Sequence, residues 1–129
     1  MIAEIKHGDE VIALHITTDD LTPGTHPVTD PKNSLQMLMM KRDAGHIFVK
    51  HTHELKERAT SILQEAVVVT SGVLKVSVCT RSGEDVADVP VRAGECLYIV
   101  NGGFKIEVLE TATFFEFKNG PHTDDKILL

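Results

Sequence analysis

Between Val73 and Thr80 the side chains alternate in polarity: Leu74, Val76 and Val78 fall on one side, Lys75 and Ser77 on the other. That period of two predicts a half-buried β-strand. Just before it, Ile62 to Thr70 is an almost unbroken apolar run, as expected of a strand covered on both faces. Val11 to Ile16 is apolar and β-branched and predicts another strand. Leu35 to Lys41 and Ile47 to His53 read as a strand pair joined by a hairpin turn at Arg42-Asp43-Ala44-Gly45. Val86 to Val91, Cys96 to Val100, Phe104 to Leu109 and Thr113 to Lys118 complete the series. Turn chemistry stands between them at Arg81 to Glu84, Ala93-Gly94, Asn101-Gly102-Gly103 and Glu110-Thr111.

Two stretches fall outside this rhythm. Thr22 to Asn33 holds Pro23, Pro27 and Pro31 and predicts a loop, and Asn119 to Leu129 opens with Gly-Pro and predicts an irregular tail. Leu55, Ala59 and Ile62 have near-helical spacing, but the β-branched run that follows weighs against a helix from Glu54 to Glu65. Short strands at regular spacing predict an all-β sandwich or barrel of one domain over residues 1–129. Within it, 1–34 is expected to be an N-terminal strand and loop, 35–118 the barrel core, and 119–129 the tail.

Composition narrows the function. The chain has 129 residues and a formal net charge of −6, with no basic run, which argues against nucleic acid as the main partner. No apolar stretch approaches the roughly 18–20 residues of a membrane span, and acidic residues occupy the N-terminus where a signal peptide needs an apolar segment. A cytoplasmic location is the expectation. Cys79 and Cys96 are too few for a disulfide framework and too far apart for a Cys-x-x-Cys motif, so free thiols are expected. Seven His beside a single Tyr and no Trp are the unusual count.

Of those seven, His51 and His53 have a spacing that carries chemistry. On a strand, side chains at i and i+2 leave the same face about 7 Å apart at their roots. From there two imidazoles can converge on one metal ion. Glu65, on the following strand, offers a carboxylate, and two His with one carboxylate form a set suited to Fe, Mn, Zn or Ni. His7, His15 and His26 lack such spacing and read as surface or satisfied polar residues. Lys56-Glu57-Arg58 reads as a solvated charge run, Met37, Met39 and Met40 as core or dimer-contact filling, and Asp124-Asp125 as exposed tail carboxylates.

Gly45, five residues, His51-Thr52-His53, then Glu65, six residues and Gly72, resembles the first motif of the cupins. The gap from His53 to Glu65 is longer than that family's usual spacing. Gly94 to Phe104 resembles the second motif in strand-and-turn layout, with Asn101 near the position of its Pro and Gly102 or Gly103 at its Gly. The His of that motif is absent: Phe104, Lys105 or Ile106 occupies its place, and no His lies between His53 and His122. The chain thus resembles a small single-domain bacterial cupin with a degenerate second motif.

The resemblance implies a double-stranded β-helix, a jelly-roll barrel, with a small-molecule site at its mouth, and a homodimer. It implies a divalent metal held by His51, His53 and Glu65, with water completing the shell. His122 or His46 would replace the missing imidazole if the fold brought either near. Two alternatives stand beside this. One is a metal-free nucleotide-sugar isomerase or epimerase in which His51 and His53 exchange protons with the substrate, a task suited to an imidazole's near-neutral pKa. The other is a non-catalytic module that binds a small polar molecule, with a sugar-related compound as one candidate.

Overall fold

The computed structural model describes residues 1–129 and contains eight strands and no helix. In chain order they are β1 (Ile2–His7), β2 (Glu10–Ile16), β3 (Gly24–Pro27), β4 (Leu38–Lys41), β5 (Glu65–Cys79), β6 (Asp85–Arg92), β7 (Cys96–Ile99) and β8 (Gly103–Lys118). β3 and β4 pair only with each other. The other six form one antiparallel sheet in the order β1-β2-β7-β5-β6, with β8 along β5. β5 organises this sheet. One of its sides takes β7 along Glu65–Val68 and β6 along Val73–Cys79, while β8 runs along the other side throughout.

Such long strands stay in one sheet only if they bend together. The bend is at Ser71-Gly72-Val73, where the ladder to β8 slips register three times between Val69 and Leu74. Gly72 has φ +77°, and a Cβ there would lie 2.1 Å from the Thr111 carbonyl oxygen, so only glycine fits. The slip also changes which residues face inward. Val67 and Val69 are buried before the bend and Leu74, Val76 and Val78 after it. A bulge shifts the two-residue period by one and keeps both halves packed on one core.

That core joins Val67, Val69, Leu74, Val76 and Val78 of β5 to Ile12, Ala13, Val89, Val91, Leu97 and Ile99. The sheet curls around it into a half-barrel. A second cluster, Leu14, Ile16, Ala66, Cys96 and Tyr98, is covered by Leu35, Met37 and Met39. Residues expected to lie outside the barrel core, in β1 and β2, are thus part of the main sheet and supply Ile12 and Ala13 to its centre.

Several elements differ from expectation. Ile62–Thr70 and Val73–Thr80 are one bent strand, and Phe104–Leu109 and Thr113–Lys118 are another, with no reversal at Glu110-Thr111. Leu35–Lys41 shortens to β4, paired with Gly24–Pro27 inside the expected loop. Ile47–His53 is not a strand: residues 42–63 have no regular structure, and 43–63 are exposed. The alternation there supplies strand propensity, but a strand also needs a ladder partner, and none lies beside it. The far edge of β8 is likewise without one.

Candidate functional site

His51 and His53 lie on the exposed 42–63 segment. Their ring centroids are 5.5 Å apart and nearly perpendicular, an edge-to-face contact on irregular backbone and not the shared strand face expected for them. His51 Nδ1 lies 2.8 Å from the Val49 carbonyl oxygen. A carbonyl only accepts, so Nδ1 is the donor here, and in the neutral ring that leaves the lone pair on Nε2. His46 instead sets its ring edge-on to Phe48 at 4.8 Å, and the Arg42 guanidinium lies 5.4 Å from the same Phe48 ring.

Glu65 is elsewhere. It heads β5 on the same face as Val67 and Val69, opposite Lys118 of β8. Its carboxylate lies 3.9 Å from Lys118 Nζ, and that ammonium is 3.4 Å from Glu116. Burial, then the nearby Glu116 carboxylate, raises the Glu65 pKa above its ordinary value, against the pull of Lys118 and Lys126. No group of three or more His, Cys, Asp or Glu side chains is close enough to hold a metal ion. His51, His53 and Glu65 therefore do not converge, and the three-donor set does not fit a metal in this arrangement.

What Glu65 does face is an open cleft of about 1210 Å³ between the C-terminal tail and strands β5, β6 and β8. Lys118, His122, Asp125 and Lys126 line it with Glu65, so cationic and anionic groups share the same wall. The tail spans this cleft. It leaves β8 beside Glu65 and ends near Gly83 and Gly103, where a Cβ added to Gly103 would lie 3.0 Å from Leu129 Cδ1. Phe104, where the cupin pattern has its third imidazole, also lines the cleft and packs against the main core. An apolar core neighbour there explains an apolar side chain.

The position of Glu65 is fixed by a polar network that sequence reasoning did not single out. Gln64 is buried, and its amide donates to the Val100 carbonyl at 3.0 Å while its Oε1 accepts from the Leu35 N–H at 3.1 Å. The Tyr98 hydroxyl lies 2.7 Å from both the Leu35 carbonyl and Gln64 Oε1. Asn119 Oδ1 accepts from the Gln64 N–H at 2.8 Å, and its Nδ2 donates to the Ile62 carbonyl at 3.1 Å. The start of β5 and the end of β8 are thereby tied together on either side of Glu65. Burial raises the Tyr98 pKa, keeping the phenol a neutral donor. The one available signal was the single Tyr in an apolar strand, since a buried phenol needs a partner.

The remaining candidates are structural. His15 Nε2 is 3.0 Å from Glu95 Oε2, which also accepts from the Arg92 N–H at 2.9 Å. Burial alone would raise the Glu95 pKa, but those two contacts bring it below the ordinary value. His7 pairs with Glu84 at 3.2 Å, and His26 Nε2 lies 3.0 Å from the Thr22 carbonyl oxygen. Both cysteines are free thiols, and burial pushes Cys96 up to about 12, leaving it unreactive. Comparison with family models, curated proteins and solved structures finds no match to the chain.

Proposed function

We propose that this chain is a cupin-type jelly roll that binds a small polar molecule in the cleft beside Glu65. The observation that carries the reading is the placement of Glu65. It is a carboxyl held partly out of water in an open cleft, with Lys118, His122 and Lys126 lining the same space. Concave sites with a few converging polar groups and a shifted pKa are where ligands bind. The jelly-roll reading draws support from β5 and β8, which run together through both halves of the curled sheet. It draws further support from the strand-patterned Ile47–His53 and the open edge of β8, each of which lacks what the other offers. Thermal-shift screening against sugars, sugar phosphates and small carboxylic acids tests it. A ligand that stabilises the wild type and loses at least about tenfold in affinity with Glu65→Ala supports the reading. Ligands bound equally well by the variant, or none at all, overturn it.

Divalent-metal binding through His51 and His53 is the second reading. The tautomer of His51 favours it, because imidazole ligands commonly donate their other N–H to a carbonyl, as His51 Nδ1 does to Val49. Water would complete the shell, and Glu65 would join only if residues 42–63 moved onto the sheet. Equilibrium dialysis with Zn, Ni, Mn and Fe separates the cases. The reading expects binding that the His51→Ala, His53→Ala double variant abolishes, and equal uptake by both proteins contradicts it.

A further inference from the structure

Past Asn119 the chain leaves the sheet and runs across the cleft with little to hold it. Asn119 makes the last hydrogen bonds, to Gln64, Thr60 and Ile62. From Gly120 to Leu129 no backbone or side-chain hydrogen bond and no ion pair ties the tail down, and every residue is exposed. Asp125 and Lys126 act on Glu65 only through space. The firm contact is at the far end. A Cβ built on Gly103 would lie 3.0 Å from Leu129 Cδ1, and one built on Gly83 would lie 3.5 Å from Leu129 Cβ. Leu129 therefore rests where two glycines leave room for it.

Ordering a segment costs conformational entropy at each residue, which ladders and burial offset elsewhere in this chain. The tail has no ladder and buries little, so its closed position is weakly favoured and it belongs to the low end of local stability. Opening has a natural pivot. Asn119 stays fixed, while the nearest atom to a Cβ added at Gly120 would be 3.7 Å away, which leaves the chain room to swing. Swinging out would withdraw Asp125 and Lys126 from Glu65 and uncover a wall that includes Lys105 and the half-buried thiol of Cys79. A Cβ at Gly103 would also meet Cys79 Sγ, at 2.9 Å. The thiol thus sits beside the end of the closed tail.

We infer that residues 120–129 are a strap that opens and closes over the cleft, so that access to Glu65 and to the wall behind it is set by the strap's own equilibrium. The inference stands whether or not a ligand binds beside Glu65. Cys79 reports the equilibrium, through labelling by the neutral reagent N-ethylmaleimide followed by mass spectrometry, while burial shields Cys96. Ile127, Leu128 and Leu129 all line the cleft, and changing the three to Ser removes their apolar contacts without touching the sheet. This variant is expected to label Cys79 at least about threefold faster than the wild type, because labelling tracks the open population. Its far-UV circular dichroism and urea midpoint are expected to stay unchanged. Equal labelling rates in the two folded proteins overturn the strap. So does a wild-type Cys79 that reacts as fast in the native chain as in urea. In a second variant, Leu129→Cys, mild oxidation with diamide is expected to join the new thiol to Cys79 within one chain. Failure of that link overturns the closed position, even if the triple variant does not fold.

Discussion

Glu65 shows how a residue's neighbours turn a surface carboxylate into a candidate anchor. Burial raises its pKa above the ordinary value for a glutamate, so the folded chain holds that proton more tightly than the unfolded chain does. The stability associated with the protonated carboxyl is fully present below the unfolded pKa and is lost as pH rises through the folded one. Glu65→Gln, which keeps a neutral side chain at every pH, is therefore expected to match the wild type in acid and to gain on it as pH rises towards neutrality. Urea unfolding of both proteins across that range measures this, and a wild type that gains on the variant with rising pH contradicts it. The identity of Glu65 was legible in the sequence through its spacing to Gly72. Its surroundings were not, because Lys118 lies far along the chain and reaches Glu65 only through the register of β5 and β8.

At the scale of elements, the bend in β5 and β8 holds the arrangement together. Gly72→Ala would drive a methyl group into the Thr111 carbonyl and hold an L-residue at positive φ. A loss of about 3 kcal/mol or more is expected in chemical denaturation, from the clash and strain together. A variant within 0.5 kcal/mol of the wild type would mean that the two strands do not bend there. Sequence periodicity found the strands on either side of Gly72 but divided them at the glycine, because a turn and a bulge use the same residue for the same conformational freedom. The same ambiguity split β8 at Glu110-Thr111. For Ile47–His53 the limit was different. Alternation records a strand's preference for two faces, while pairing depends on a neighbour that no local window contains. β1 was missed for the converse reason: its mixture of apolar and charged residues becomes a strand by pairing with β2.

For the whole molecule, the all-β class was legible, since it rests on many short periodic segments agreeing with one another. The half-barrel was not, because it depends on β5 and β8 continuing through positions that read as turns. The same continuity carries the tail across the cleft, from Asn119, hydrogen-bonded to Gln64, to Leu129 beside Gly103. The sequence reading offered His122 as a partner to Glu65 only if the fold brought it near, and this path is what brings the two to line one cleft. Histidine spacing drew attention to His51 and His53, whereas the fold draws it to Glu65. The account therefore turns on whether a polar ligand binds where Glu65 is. Calorimetric titration of the best-stabilising ligand into the wild type and Glu65→Ala, side by side, asks this most directly. The account predicts saturable one-site binding to the wild type and at least a roughly tenfold weaker constant for the variant. Equal affinities in two equally folded proteins would contradict it.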